Sequence, residues 1–483
     1  MAQVELDGPV APPSGRPPGV DLTAAEVEAL ADELAAYHAA FAPLFQREEQ
    51  RRWAAAYVTG QLLAVERKAI QPMAHRLAGG NVQAMQQFIG AAPWDDEPIL
   101  ARHQELVAQT LGDAATGVLI VDGCDFPKQG RHSVGVARQY CGALGKVANC
   151  QASVVACYAS ARGYTLVDRR LYLPAPWFGD DSRELRAECG VPDGVRFRTR
   201  PQLAQQMIAT VRRRGVLPFR WVLCDEGFGD NPAFLDGLEA AGLWYFAEAP
   251  HDTAVWRQRP PTLVPPRRGR RGRAPTRLRL APAAPAPRSV RQVADELPPE
   301  RWQRTVLHEG NKGPLVVELA WLRVVAVRDG LPGPAQWLVL RRGLDDDPAL
   351  KTYLSNAPVT TPPATFARLA GMRWPVEHAI KESKGEVGMD QYEVRGWRGW
   401  HHHMTMSLLA HHFLMRLRCR VGGKITRPHR APGPPLAPGE PAPSAARRSD
   451  RPRPRPGAAG AELRRPLLPP PPHPPATRLL LTT

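Results

Sequence analysis

At Thr116 the periodicity of the chain changes, and that change limits what it can fold into. Upstream, "DLTAAEVEALADELAAYHAAF" (21–41) and "QREEQRRWAAAYVTGQLLAVERKAIQPMAHRL" (46–77) space their apolar residues three and four apart. That is the repeat of helices with one buried side. Thr23 and Glu26 carry the spacing of a capping box at the first helix. From "TGVLIVDGCDF" (116–126) onward, "CQASVVACYAS" (150–160) and "YTLVDRRLYL" (164–173) are short β-branched apolar runs between turn residues, the pattern of strands. Helical "RPQLAQQMIATVRRRG" (200–215) then precedes the strand "RWVLCD" (220–225), and helical "NPAFLDGLEAAG" (231–242) precedes "LWYFAEA" (243–249). A helical segment over 21–112 followed by a mixed α/β sheet with flanking helices is the expected architecture.

The second half is more heterogeneous. Residues 254–280 hold nine arginines and no acid, which fits either contact with a phosphate backbone or a solvated linker. "GPLVVELAWLRVVAVRD" (313–329) and "AQWLVLRR" (335–342) return to strand character, so 254–350 reads as a basic linker and a β-rich insertion. Helix resumes near Pro363 and continues to about 420. Residues 1–20 are rich in Pro and Gly, and residues 421–483 in Pro and Arg, and both are expected to be disordered. The abrupt change at 421 also fits a shifted reading frame, testable by reading the other frames for helical periodicity.

Charge narrows the partners. A formal net charge of +16 favours a polyanion, because neutralising phosphates releases their counterions. Nucleic acid leads that class, with an anionic membrane surface behind it. No apolar run approaches the ~20 residues of a membrane span, and the N-terminus lacks a basic-then-apolar signal, so a cytoplasmic protein is expected. The seven cysteines form no CxxC pair, which points to reduced thiols and to no zinc knuckle.

In so basic a chain, acids at the ends of buried strands stand out, since desolvating a carboxylate is costly unless a cation or hydrogen bonds compensate. "GVLIVD" ends in Asp122 and "RWVLCD" in Asp225, each at a glycine-containing turn. Either alone reads as a turn former. Together they could converge on Mg²⁺, a hard cation that takes oxygen ligands. Glu377 is the candidate third carboxylate: with Pro375 in the first turn of a helix, Glu377 and Lys384 share one face. Spacing alone leaves Glu382 open as that ligand, and a surface ion-pair pattern fits the same residues.

The surrounding motifs are more specific than three isolated acids. "FPKQGRHSVGVARQYCGALGKVANCQ" (126–151) and "KGEVGMDQYEVRGWRGWHHH" (384–403) resemble the transposases of bacterial insertion sequences, over roughly residues 40 to 415. Those enzymes carry an RNase H-like catalytic domain with a DDE triad. The resemblance implies that Asp122, Asp225 and Glu377 are the catalytic triad and hold two Mg²⁺ ions, with Mn²⁺ able to substitute. It places Arg373, Glu377 and Lys384 in the family's Tyr-x2-Arg-x3-Glu-x6-Lys signature, with Ala370 in the tyrosine position. It implies a β-rich insertion between the second Asp and the Glu, and a homodimer on DNA.

Further DNA contacts are expected from Arg373, Lys384 and Lys128, with His132 beside it, and from Trp397 and Trp400 by base stacking. Core packing is the competing reading for both tryptophans, and ion pairing with Glu377 that for Arg373. Histidines 401 to 403 cannot all face one metal, because adjacent helical residues diverge by about 100°. The expected function is metal-dependent DNA strand cleavage and transfer by a cut-and-paste route. The alternatives are a catalytically inactive DNA-binding remnant and, less consistent with the charge, a glycoside hydrolase using paired carboxylates.

Overall fold

The computed structural model describes residues 24–421 apart from 267–272, 274, 311–312 and 345–348. The expectations for 1–20, for the 421–483 tail and for the Thr23 cap fall outside the described residues. Five helices come first: α1 (Ala24–Ala39), α2 (Glu48–Leu62), α3 (Ile70–Arg76), α4 (Val82–Gly90) and α5 (Asp96–Leu111). Asn81 and Asp95 cap α4 and α5 by accepting backbone N–H groups of Ala84 and Glu97.

The sheet begins where the periodicity changes. Strands β1 (Val118–Pro127), β2 (Ala137–Cys141), β3 (Lys146–Ser160) and β4 (Gly163–Tyr172) follow in antiparallel order, with β1, β2 and β4 all paired to β3. Two short helices, α6 (Arg183–Glu188) and α7 (Arg200–Arg214), return the chain to β5 (Trp221–Cys224). A single turn, α8 (Glu226–Gly229), and α9 (Pro232–Ala240) then lead to β6 (Trp244–Glu248). Both β5 and β6 run parallel to β1, so β1, β5 and β6 form a parallel centre next to the antiparallel β1–β3–β4 half. This is the RNase H-like mixed sheet that the resemblance implies. Asp225 directly follows β5.

The insertion is not a separate layer. Strand β7 (Ala254–Trp256), the pair β8 (Thr262–Leu263) and β9 (Arg279–Leu280), β10 (Arg288–Ser289) and helix α10 (Val290–Asp295) come first. The long hairpin strands β11 (Gln303–Gly310), β12 (Gly313–Arg328) and β13 (Leu331–Arg342) are followed by β14 (Lys351–Ser355). β14 pairs with β13 on one side and with β6 on the other, so β12 and β13 continue the same sheet beyond β6. Open backbone groups on β6 would otherwise form an exposed edge.

Three helices close the fold: α11 (Pro363–Ala370), α12 (Trp374–Gly385) and α13 (Trp397–Val421). One face of the sheet, with Ile120, Phe126, Val155 and Leu166, packs against α12 and α13 through Val376, Ala379, Trp400 and Leu408. The other, with Leu119, Val121 and Ala156, packs on α7 and α9 through Met207, Ile208 and Leu235. α13 is buried on its second side too, where Met406, Leu409 and Phe413 meet Tyr37, Phe45 and Tyr57 of the N-terminal helices. Its histidines therefore serve packing: His403 meets the Tyr57 hydroxyl at 2.8 Å, and His412 meets Thr110 at 2.9 Å. Burial pushes the imidazoles of His402 and His403 down to about 4. All seven cysteines are free thiols.

Candidate active site

Val121 of β1, Cys224 of β5 and Ala247 of β6 lie in one register across the parallel strands. The next residue on each strand is an acid: Asp122, Asp225 and Glu248. Asp122 does not end its strand as its sequence suggests. β1 continues to Pro127 against β3, and only its ladder with β5 stops at Val121, which opens the sheet at Asp122. Asp225 is the N-cap residue of α8. Gly229 ends that turn, and a Cβ there would lie 1.9 Å from the Glu248 carbonyl, so only glycine lets α8 close over β6.

Glu377 arrives from the helix. Arg373 is the N-cap of α12 and Pro375 sits in its first turn, where a missing N–H costs little. Val376, Ala379 and Ser383 face the core, which turns Glu377 to the solvent side. Lys384, in the last turn, donates its Nζ to the Asp125 carbonyl at 2.8 Å, three residues beyond Asp122.

Arg373 binds this group together. Its Nη2 lies 3.1 Å from Glu377 Oε1, its Nη1 3.9 Å from Asp122 Oδ2, and its Nε 3.7 Å from Glu248 Oε2. Burial alone would lower the guanidinium pKa, but Asp122, Asp225, Glu377 and Glu248 outweigh it and hold the group firmly protonated. Burial lifts the Asp122 carboxyl to about 7; Arg373 and the Gly123 N–H oppose that, while Asp225 and Glu377 add to it. Burial raises Asp225 as well, against the pull of Arg373. Lys351 on β14 pairs with Glu248 Oε1.

The donor chemistry suits a divalent cation: four carboxylates with oxygen donors only, and a buried Asp225 Oδ1 that has no hydrogen-bond partner. As the side chains stand, no three acidic, His or Cys groups among the described residues converge closely enough to hold an ion. The Arg373 guanidinium lies among the acids instead. A cleft of about 240 Å³ opens on Glu248, Arg341, Lys351, Arg373 and Glu377. A larger cavity of about 890 Å³ lies away from all of these acids, between α5, β4 and the start of α13.

The other site expectations fare differently. Lys128 lies 3.6 Å from the centre of the Tyr392 ring, and burial lowers its ammonium to about 8. Trp397 is half-buried, lines the larger cavity and packs on His401 at 4.3 Å. Trp400 is wholly buried in the core, so packing and not base stacking is its place. Glu382 points away from the acids: it meets Tyr164 at 3.2 Å and His411 at 3.3 Å and pairs with Arg418. Glu248 was not singled out from the sequence, although "LWYFAE" repeats the pattern of an apolar strand ending in an acid.

The sequence profile of the DDE superfamily endonucleases matches residues 40–314, more than half of the chain, including Asp122 and Asp225 and ending before Glu377. The chain is also 24% identical over 337 residues to the "Probable transposase for insertion sequence element IS701" of Microchaete diplosiphon, an alignment spanning 69% of this chain and 74% of that protein. No helix among the described residues is long and apolar enough to cross a membrane. With two acids of the site inside the matched region and an RNase H-like sheet beneath them, the chain belongs to the DDE superfamily of endonucleases.

Proposed function

We propose that this protein is an insertion-sequence transposase that cuts DNA at the ends of its element and joins the freed ends to target DNA by a cut-and-paste route. The observation that carries this reading is the gathering of Asp122, Asp225 and Glu377 around one guanidinium at the open end of a parallel ladder. The similarity to a protein named as a probable transposase supports it.

In this reading Asp122, Asp225 and Glu377 hold two Mg²⁺ ions, with Mn²⁺ able to substitute. Such ions supply activation of the attacking oxygen and stabilisation of the leaving one. The reaction is an in-line displacement: a water oxygen forms a bond to phosphorus as the bond to the 3′ oxygen breaks, and the leaving oxygen takes a proton. The freed 3′-hydroxyl then attacks a second phosphodiester in the same way, with no covalent link to the protein. Lys384, tied by its ammonium to the backbone at Asp125, lies where it can neutralise a phosphate next to the acids. Arg341 and Lys351 line the same cleft as Glu377 and add positive charge there. Two element ends must be held together, which a homodimer on DNA provides.

The test is cleavage of a labelled fragment carrying the gene's own flanking sequence. Discrete cuts are expected with Mg²⁺, none with Ca²⁺, and none with Asp225→Asn protein. Salt-sensitive binding without any cut in wild-type protein would overturn the enzyme reading in favour of an inactive DNA-binding remnant.

A further inference from the structure

Arg373 pairs with three carboxylates, Asp122, Glu248 and Glu377, with Asp225 as a further charged neighbour, and the resemblance accounts for all of them but Glu248. Glu248 is 7% exposed, so its charge needs a partner. It has two: Lys351 takes Oε1, and Oε2 faces Arg373 Nε at 3.7 Å. Arg373 in turn is divided. Its Nε edge faces Glu248, while its two terminal nitrogens face Asp122 and Glu377, and Nη1 is buried with no hydrogen bond of its own. The four acids face two basic side chains, Arg373 and Lys351, so the group carries an excess of formal negative charge that suits a bound cation.

We propose that Arg373 occupies the place a divalent cation takes between Asp122 and Glu377, and that Glu248 is the positioning residue that draws the guanidinium aside when the cation binds. The inference rests on the reading above, in which Asp122, Asp225 and Glu377 hold cations. Register makes Glu248 suited to this task. It is the neighbour of Asp225 on the next parallel strand, on the side of the sheet away from Asp122, and Lys351 fixes one of its oxygens while leaving the other free. Arg373 can therefore give up Asp122 and Glu377 without being left as an unpaired buried charge. The same exchange keeps the acids from repelling one another before a cation arrives, and it holds Glu377, the most exposed of the four, close to the strands.

The experiment is a double-mutant cycle on Mn²⁺ affinity, read by isothermal titration of the full-length protein without DNA. Glu248→Gln leaves Arg373 with only Asp122 and Glu377, so it competes harder with the ion. The affinity is expected to fall about tenfold, the scale of a lost outer-shell partner. Arg373→Gln removes the competitor, and binding is expected to tighten. In the Arg373→Gln background, Glu248→Gln is expected to change the affinity less than about twofold. Cleavage by Glu248→Gln protein should need more Mn²⁺ for half-maximal rate than wild type, a shift in metal dependence that a loss of folding, which scales the rate alike at every Mn²⁺ concentration, would not produce. An equal loss of affinity in both backgrounds would make Glu248 a ligand in its own right and overturn the proposal. So would weaker binding in Arg373→Gln alone. The wild type against Asp225→Asn separates the two claims: if neither binds Mn²⁺, the metal-site reading itself falls.

Discussion

His403 offers a quantitative check on how the catalytic helices are joined to the N-terminal ones. It is completely buried on α13, between Tyr57 of α2 and the Met389 carbonyl. The neutral tautomer with the proton on Nε2 satisfies both neighbours, donating to Met389 O at 3.1 Å and accepting the Tyr57 hydroxyl on Nδ1 at 2.8 Å. Protonation would turn Nδ1 into a donor, and burial with the nearby Lys128 charge adds to the cost. The pKa accordingly falls from 6.5 to about 4.

A folded-state pKa below the unfolded value means that the unfolded chain binds more protons between the two. Stability from this residue is therefore complete above about pH 6.5 and is lost as the pH falls toward 4. The slope is about 1.4 kcal/mol per pH unit, or about 2 kcal/mol between pH 7.5 and pH 5. Urea denaturation of wild-type and His403→Gln protein at those two pH values measures it. The variant is expected to be weaker at pH 7.5, by about 1 to 3 kcal/mol for the broken hydrogen bonds. It should then lose about 2 kcal/mol less than wild type on acidification. The raised carboxyl of Asp122 works in the opposite sense, but it is common to both proteins and cancels in the difference. Identical acid losses in the two proteins would refute the assignment of a buried neutral imidazole.

Two further substitutions separate packing from chemistry. Trp400→Ala empties a fully buried position and should cost about 3 to 5 kcal/mol, while DNA affinity per folded molecule in a filter-binding assay stays at the wild-type value. Glu382→Gln should lower the thermal midpoint, because His411 and Arg418 bring this carboxyl down to about 2 against the effect of burial. Its Mn²⁺ affinity should match wild type, since Glu382 lies on the side of α12 away from Asp122.

Much of the site was legible in the sequence because its parts are local. An apolar β-branched run that stops at an acid singles out Asp122 and Asp225, although β1 itself runs on past Asp122 to Pro127. Pro375 in a first turn with Glu377 and Lys384 seven apart shows one helical face, and α12 has that form. Glu248 carries the same signal as the two aspartates, but nothing local shows that β6 runs parallel to β5 in the same register.

By itself the sequence determined the helical start, the mixed sheet, the strand-end acids, the motif resemblance and the basic charge, since each depends on residue type and spacing along the chain. Tertiary structure alone decided the rest. Whether Trp400 and Glu382 face the core or the site depends on how α12 and α13 lie on the sheet, which periodicity leaves free. Whether the insertion stands apart or extends the sheet depends on β14 pairing with β6, where Tyr353 meets Glu248 and Leu354 meets Ala247, residues far apart along the chain. The position of Arg373 among four acids depends on three strands and a helix meeting at one point, where burial and charge balance each other.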